Sequence, residues 1–582
     1  MSNSLLTTGT YLNVSTLGQN LRVRQDISMV RSSIMEAQTQ ISSGMKATSH
    51  GGLRADATAA QQFRHQMGRL DGYAGTIGIA ESRLSIVQAS LSVIQTSSSA
   101  LSMQAKQAVA PGFVQDVRMA RVLGKSNLET MVSKLNTTHG SRYLFSGAEI
   151  DNRPVATAAS MIEGSGSQRG LREVVALRLE ADMGTGNGRV AAGSDGLDTT
   201  TITHTGGAFG MKLAGISTNS GVATLTQPTA GVFPAVTATV DFTGVPANGE
   251  RFTVTFTMPD GDSREITLIA SNAQANGSAV SGSENTYYLS TVGVTADNMR
   301  DAIDKGISGL VSSALTGHSA IAAGNDFFDH QVARIPSGAA ATATGHAFDS
   351  GTVVSWYQGG DAVQTVSGQA ANAAALPAAA AANSGQTYLV DAPAAMIATS
   401  NGVSWDFTAA EDGIRFIDDV GHMRVANGGA WNDDGLAPAQ DSPRDSVRSK
   451  VDDGLYLSYG AQANEAGIRD TLKGAALLVA AAYDEADLGA FKQVAWEAGS
   501  LLSNAHEAVI SQRSDIGVVQ ERLEATRERQ KDYEVVLTLQ LDAIEGIDDF
   551  EVSTRLQDLL ARLEASYSIT ARLSQMNLAS YL

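Results

Sequence analysis

The chain has 582 residues, which is enough for several hydrophobic cores. Its composition, with 43% apolar and 17% charged residues, is typical of a folded protein. Its 60 acidic and 41 basic residues give a net charge of −19, which disfavours binding to nucleic acid and to anionic membrane surfaces. The chain contains no cysteine, which excludes disulfides, thiolate metal sites and thiol nucleophiles.

The sequence start, MSNSLLTTGT, has no basic residue ahead of an apolar run, so we expect no cleaved signal peptide. The longest uninterrupted apolar stretch is AALLVAAAY at 475–483. A membrane span needs about 18 such residues, so we expect no membrane insertion.

A first helix is predicted over 21–41. Its apolar residues alternate spacings of four and three, the pattern of a coiled-coil seam. Ser42, Ser43 and Gly44 are predicted to end the helix, with glycine as the C-terminal cap. The seam consists of Val23, Ile27, Val30, Ile34, Ala37 and Ile41.

Two more helices are predicted before residue 140. Residues 45–54 lack periodicity and form a connector, a second helix covers about 55–109, and a third covers about 114–138. The second helix carries two heptad series, made of Ile77, Leu84 and Leu91 and of Val87, Ile94 and Leu101.

The C-terminal end has a similar pattern. A long helix is predicted over about 485–545, and Gly546 interrupts it. In the last helix the spacing again alternates four and three, which predicts a second seam. This seam consists of Val552, Leu556, Leu559, Leu563, Ser566, Thr570 and Leu573.

The middle region is rich in Gly, Thr, Ser and Ala. Residues 251–270 alternate polar and apolar side chains around Asp260 and Gly261, which predicts a β-hairpin, and 297–315 is an amphipathic helix. The predicted fold class is therefore α+β: long terminal helices form a helical-bundle core that carries a large β-rich insert. We expect three domains, made of 1–44 with 546–582, of 45–148 with 441–545, and of 149–440.

A search for chemical motifs finds no residue set for catalysis. His506 and Glu507 lack the second histidine of a zinc-protease motif, and we expect His506 on a helix surface. Asp260 and Asp262 lack the spacing of a calcium loop, so a hairpin turn is the better interpretation. Asp548 and Asp549 precede a helix, where carboxylates stabilise its N-terminus. Asp484, Glu485 and Asp487 have the same interpretation. The sequence predicts no catalytic, cofactor-binding or metal site, and no enzyme.

Three segments carry a resemblance to a known family. The family is that of the bacterial flagellins. The first helix and connector of flagellins resemble residues 38–64, and the end of their N-terminal core resembles residues 135–147. Their terminal helix resembles residues 544–582. Residues 521–524 (ERLE), shortly after Gly517, match the family's NRLE element with Glu521 in place of asparagine.

The resemblance implies a structural subunit of the flagellum that is extracellular and exported unfolded through the flagellar channel. Its expected partners are copies of itself, other axial proteins such as hook-associated proteins and flagellin, and an export chaperone. The expected assembly interface is formed by the two seams together with the final residues: Val23, Ile27, Val30, Ile34, Ile41, Leu556, Leu559, Leu563, Leu573, Tyr581 and Leu582.

Three functional alternatives remain open. Residues 142–147 (RYLFSG) and 578–582 (LASYL) favour a subunit at the hook–filament junction. The large glycine-rich insert suits the main filament subunit. A protein from another class, a secreted binding protein or adhesin, would use the insert to recognise a ligand.

Overall fold

A computed structural model describes residues 16–109, 117–228, 236–273, 284–329, 333–348, 352–359, 364–380, 383, 386–400, 403–410, 415–418, 422–436, 447–481 and 488–579. Within these residues, long helices from both ends of the sequence flank a middle region rich in β-strands. The predicted α+β fold class is confirmed.

The chain divides into two compact units, each made of separate segments. The terminal unit comprises Met1–Ile79, Lys450–Tyr456 and Arg522–Leu582, and the central unit comprises Ala80–Ser449 and Leu457–Glu521. Two long helices contribute residues to both units.

Five long helices at the two ends of the chain have about the bounds that the periodicity predicts, and a further helix at Ala466–Ala480 was not expected. In the described residues the α-helices are α1 (Thr16–Ser43), α2 (Ala57–Val109), α3 (Val117–Leu135), α4 (Ala158–Glu163), α5 (Leu171–Met183), α6 (Val292–Leu310), α7 (Thr316–Phe328), α8 (Ala466–Ala480), α9 (Leu488–Glu545) and α10 (Asp549–Ala579). Short 3-10 turns occur at His50–Asp56, Ala340–Thr342 and Ala373–Ala375, and a π turn at Val311–Leu315 joins α6 to α7.

The strands are short and most of them are antiparallel. In the described residues they are β1 (Thr138–His139), β2 (Arg142–Tyr143), β3 (Val190–Ser194), β4 (Thr199–His204), β5 (Lys212–Thr218), β6 (Ala223–Thr226), β7 (Val236–Phe242), β8 (Arg251–Thr257), β9 (Ser263–Ser271), β10 (Glu284–Tyr288), β11 (Arg334–Pro336), β12 (His346–Phe348), β13 (Gln364–Thr365), β14 (Gly368–Asn372), β15 (Thr387–Ala392), β16 (Met396–Ser400), β17 (Trp405–Ala409), β18 (Arg415–Ile417), β19 (His422–Asn427), β20 (Ala430–Leu436), β21 (Arg448–Asp452) and β22 (Leu455–Ser458).

Small residues let the helices of the central unit approach closely. A Cβ added at Gly474 of α8 would lie 2.6 Å from the side chain of Leu502 in α9. Ser98 and Ser102 of α2 donate hydrogen bonds to the carbonyls of Leu502 and Gly499 at 2.7 and 2.8 Å. These contacts explain why an Ala- and Ser-rich sequence forms a tight helical layer.

The first half of the insert has two four-stranded sheets around one core. Their strand orders are β3-β4-β7-β6 and β10-β9-β8-β5, in which only the β9–β10 pair is parallel. Helix α6 buries its apolar face in the same core. The largest side chains there include Phe252, Phe256, Tyr287, Met299 and Ile303.

The second half of the insert has a six-stranded sheet, β11-β12-β17-β16-β15-β14, and a four-stranded sheet, β13-β18-β19-β20. Leu389 and Ile397 of the larger sheet share a buried cluster with Phe416 and Trp431 of the smaller one. The two sheets therefore share part of one hydrophobic core.

A buried network of charges lies beside these sheets in the central unit. Arg178 of α5 donates hydrogen bonds to Asp182 and Asp326 at 2.9 and 2.6 Å, and Arg334 donates to the other oxygen of Asp326 at 2.7 and 2.9 Å. Burial alone lowers the pKa of Arg178, but the two carboxylates raise it above its ordinary value, so the guanidinium stays charged.

A buried histidine and lysine lie next to each other at the end of β4 and the start of β5. The Nδ1 atom of His204 accepts a hydrogen bond from the backbone of Gly206 at 3.1 Å, and Lys212 donates to the carbonyls of Gly207 and Phe209. Burial lowers the pKa of Lys212 to about 8, and burial together with the charge of Lys212 lowers the pKa of His204 to about 3. His204 is therefore neutral in the folded protein.

Several local predictions are confirmed. Strands β8 and β9 form the expected hairpin, in which the Met258 backbone nitrogen donates to the carbonyl of Asp262 at 2.7 Å, and Gly261 has φ +95°. The two heptad series of α2 are buried.

The middle region contains more helix than the sequence predicts. The single helix expected at 297–315 begins at Val292 and continues through the π turn to Phe328, and α4 and α5 were not expected. The sequence of α7, TGHSAIAAGNDFF, buries small residues that a search for large apolar side chains does not register.

The segment Gly51–Val109, which ends with α2, is long and apolar enough to cross a membrane by length and composition alone. Its most apolar window has a mean hydropathy of 1.2, although small and polar residues interrupt the apolar run. A helix buried in a protein core passes the same test, and Leu84, Leu91 and Leu101 of α2 are buried in the central unit. The segment is therefore weak evidence for a span, and the absence of membrane insertion stays a prediction.

Candidate assembly interface

Helices α1 and α10 pack against each other within one chain, in the terminal unit. Among the predicted seam residues, Ile34, Ala37 and Val552 are buried and Ile41 is 37% exposed. The other seam residues whose side chains are described are half-buried, so part of each apolar side chain among them stays accessible after the two helices have paired. These half-buried residues are Val23, Ile27, Val30, Leu556, Leu559 and Leu563, together with the polar Ser566 and Thr570.

Three of the predicted interface residues have no described side chain. Leu573 lies within α10, but its side chain is outside the described residues, and Tyr581 and Leu582 follow the last described residue. The role of all the seam residues in contacts between subunits remains a prediction.

A polar contact crosses the α1–α10 pair. Both Nε and Nη2 of Arg31 donate hydrogen bonds to the hydroxyl of Tyr567, the first at 2.8 Å. The guanidinium carbon also lies 5.6 Å from the centre of the tyrosine ring, a cation–π distance. The contact fixes which turn of α1 faces which turn of α10.

A tight turn at one end of the pair sets the register of the two helices. Gly44 has φ +69°, a left-handed conformation that favours glycine after a helix. Met45 and Gly546 form an antiparallel β-bridge, and the backbone nitrogen of Lys46 donates to the carbonyl of Glu545 at 2.7 Å. The predicted breaks at Gly44 and Gly546 therefore lie side by side.

The start of α10 has the cap that its sequence predicts. The Oδ1 atom of Asp548 accepts hydrogen bonds from the backbone nitrogens of Phe550 and Glu551 at 2.9 and 3.2 Å. Asp549 and Glu551 add negative charge to the first turn, which the helix dipole favours. The carboxylates of 548–549 thus have a structural role.

The terminal unit exposes a set of large apolar side chains that the heptad search missed. We call these residues the outer apolar set. Phe550 is the most exposed of them, at 83%, although it lies just outside the α10 seam. Single exposed apolar residues are normal, whereas this set is distributed over α1, α9 and α10. The set consists of Leu21, Met29, Met35, Leu539, Phe550, Leu560 and Ile569.

Ion pairs attach the β21–β22 turn to two long helices within the terminal unit. Arg69 of α2 pairs with Asp453 at 2.8 Å, and Arg529 of α9 pairs with Asp452 at 3.2 Å. Gly454, with φ +74°, completes the turn between the strands. Exposed pairs of this kind contribute about 0–1 kcal/mol each, so they orient the strand pair more than they stabilise it.

The remaining candidates for chemistry have other surroundings. His506 lies on α9 with a half-buried side chain, and its Nδ1 atom is 3.1 Å from the carbonyl oxygen of Gln95. Asp484, Glu485 and Asp487 lie outside the described residues.

A sequence model of the bacterial flagellin C-terminal helical region matches residues 500–582. The matched range contains most of α9, the turn at Gly546 and the whole of α10. No curated protein matches the chain. The C-terminal part of this chain is thus similar to the flagellin C-terminal helical region, which supports a flagellar structural subunit.

Proposed function

We propose that this chain is a structural subunit of the bacterial flagellum that self-assembles outside the cell through its terminal helices. One observation carries the proposal. The segment that matches the flagellin C-terminal helical region forms α10, and α10 packs on α1 from the opposite end of the chain.

The burial of the seams supports contact with further subunits. Pairing of α1 with α10 leaves Val23, Ile27 and Leu559 only half-buried and leaves the outer apolar set exposed. Full burial of an Ile or Leu side chain contributes about 1.5–3 kcal/mol relative to exposure. Neighbouring copies that cover these faces would supply this free energy, so that ordering of the terminal helices is coupled to assembly.

In the proposed subunit, the three predicted domains have distinct positions. The terminal helices, 1–44 and 546–582, form the inner layer of a tubular assembly. The helical core domain comprises 45–148 and 441–545, and the variable β-rich domain comprises 149–440.

The proposed location is the hook–filament junction, because residues 142–147 and 578–582 resemble the corresponding endings of the junction subunit more closely than those of filament flagellin. Its partners are copies of itself, hook-associated proteins and flagellin, and an export chaperone before secretion. The main filament subunit is the second candidate, favoured by the size of the insert.

Immunogold labelling of intact flagella with an antibody against the insert tests the proposal. A single cluster of label at the cell-proximal end of each filament is expected. Label along the whole filament would identify the second candidate. Label on the cell surface or in the medium but never on flagella would contradict a flagellar subunit and favour a secreted binding protein.

A further inference from the structure

The β8–β9 hairpin turn, the start of α7 and the α9 helix meet at one cluster of ionisable side chains in the central unit. Asp262 comes from the turn, His318 from α7 and Glu497 from α9. One potential ligand atom from each residue lies within 4.8 Å of the other two. The sequence did not indicate this cluster, because its members are separated by 56 and 179 residues.

The central observation is the orientation and burial of His318. The side chain is fully buried, and its Nδ1 atom lies 2.6 Å from the Oδ2 atom of Asp260. Nε2, the opposite ring nitrogen, is buried without any hydrogen-bond partner among the described residues. A buried polar atom that lacks a partner costs about 1–3 kcal/mol, so its placement requires an explanation.

Of the two neutral tautomers of His318, the carboxylate at Nδ1 favours the one that carries its proton on Nδ1. Nε2 then offers a lone pair to an ion held together with Asp262 and Glu497. Metal-binding histidines have this arrangement, since the nitrogen away from the metal donates a hydrogen bond to a carboxylate or a carbonyl. Asp260 is thus placed as the residue that orients His318.

Negative charge is concentrated around the histidine. Burial raises the pKa of Glu497, and the nearby charges of Asp260 and Asp262 raise it further. Arg264 pairs with the Oδ2 atom of Asp262 at 3.1 Å, which leaves the second oxygen of that carboxylate for another ligand. When ionised, the carboxylates of Asp262 and Glu497 together carry the two negative formal charges that match a divalent cation.

The backbone of α7 is held unusually close to α9 at this point. A Cβ added to Gly317 would lie 2.6 Å from the Cβ of Gln493, so only glycine allows this approach. Gln493 also donates a hydrogen bond to the Oε1 atom of Glu497 at 3.1 Å. The close approach therefore places His318 beside Glu497.

We propose that Asp262, His318 and Glu497 form a binding site for a divalent transition-metal ion, with Zn²⁺ as the best-suited probe. Zinc binds imidazole nitrogen and carboxylate oxygen at about 2.0–2.2 Å, so two ligands of one ion lie at most about 4.4 Å apart. Small side-chain rotations would bring the three atoms to that separation. Ca²⁺ is less suited, because it prefers six to eight oxygen ligands.

The proposed ion has a structural role. It links the tip of the hairpin to two helices, and so joins the β-rich insert to the helical part of the central unit. Asp262 is exposed, which leaves the fourth coordination position open to water. A ligand that binds only the folded state raises its stability in proportion to the logarithm of its concentration.

The test measures Zn²⁺ binding to the full-length chain after treatment with a chelator, by titration calorimetry and by metal analysis after dialysis. One equivalent of Zn²⁺ is expected, with an increase in the melting temperature of the central unit. Asp262→Asn and Glu497→Gln should each weaken binding by about 10-fold or more, and Asp260→Asn by about 10–100-fold. Glu507→Gln, an exposed carboxylate of the same helix, should bind Zn²⁺ as the unchanged chain does.

The exposed position of Asp262 protects the test from misfolding, because Asp262→Asn removes a ligand at the surface. The proposal is overturned if the unchanged chain retains no more Zn²⁺ than Asp262→Asn and Glu497→Gln. It is also overturned if Ca²⁺ binds at this site in preference to Zn²⁺.

Discussion

Arg31 of α1 and Tyr567 of α10 are 536 positions apart in the sequence, yet the Nε atom of Arg31 donates to the tyrosine hydroxyl at 2.8 Å. The same guanidinium packs on the tyrosine ring, at 5.6 Å from its centre. The two ends of the chain are therefore matched by a specific polar contact as well as by their apolar seams.

Removal of the Tyr567 hydroxyl should weaken this contact but preserve the ring. We expect Tyr567→Phe to destabilise the α1–α10 pair by less than about 1 kcal/mol, because both side chains are exposed. Hydrogen exchange of α1 measures the change. The double variant Arg31→Ala, Tyr567→Phe should lose the same amount of stability in the α1–α10 pair as Arg31→Ala alone. Fully additive losses would show that the two groups do not interact.

Ile34 and Met35 are adjacent in α1 but have opposite environments, with 7% and 62% of the residue exposed. Ile34→Asp buries a charge in the seam and should increase hydrogen exchange throughout α1 and α10, abolish assembly and leave the insert folded. Met35→Asp should change the stability of the isolated chain by no more than about 0.5 kcal/mol. Equal exchange rates in the two variants would contradict the observed pairing of the helices.

Asp326 holds two buried guanidiniums, those of Arg178 and Arg334. Asp326→Asn leaves these charges without their shared carboxylate, and we expect a loss of about 3–5 kcal/mol in the free energy of unfolding of the central unit. Asp301→Asn is the matched control, because its pair with Arg300 is exposed and contributes about 0–1 kcal/mol. Denaturant unfolding measures both. A similar small loss in both variants would show that the buried network does not stabilise the unit.

The buried His204 predicts that the central unit is less stable in acid. Its pKa is about 3 in the folded state and 6.5 ordinarily, so the unfolded chain binds a proton first as the pH falls below 6.5. This group alone should reduce the free energy of unfolding by about 1.4 kcal/mol per pH unit between pH 6 and pH 4.

The variant His204→Asn isolates that contribution. Asparagine offers an oxygen to the Gly206 nitrogen but does not titrate, so the stability of the variant should fall less steeply in acid. Denaturant unfolding at several pH values gives the two slopes. Identical slopes for the variant and the unchanged chain would show that His204 takes up its proton without unfolding.

The terminal helices could be predicted because their physics is local. Alternating spacings of four and three among large apolar residues define α1 and α10, and glycines mark the end of α1 at 44 and the break before α10 at 546. The spacing also indicates which faces pair. It does not show which other faces stay exposed, and Phe550 was missed for this reason.

The insert could be predicted only in part, and the cluster of Asp262, His318 and Glu497 could not be predicted. The β8–β9 hairpin follows from strict alternation around Asp260–Gly261, but α7 has few large apolar side chains and buries Gly, Ala and Ser instead. The meeting of Asp262, His318 and Glu497 depends on three distant segments and on the close approach at Gly317. No local pattern in the sequence encodes such a contact.

Assembly through the terminal helices is tested most directly by a sedimentation assay. The assay measures how much of this chain pellets with sheared and washed flagella, and it compares Phe550→Asp with Leu197→Asp. Both replaced side chains are highly exposed, at 83% in the terminal unit and 71% in the insert. An acidic residue at the start of α10 is compatible with the helix dipole, so Phe550→Asp should leave the isolated chain folded, as circular dichroism can verify. We expect Phe550→Asp to lower incorporation about 10-fold or more, because about 1.4 kcal/mol or more of contact free energy is lost. We expect Leu197→Asp to be incorporated normally. Normal incorporation of both variants would contradict assembly through the terminal helices.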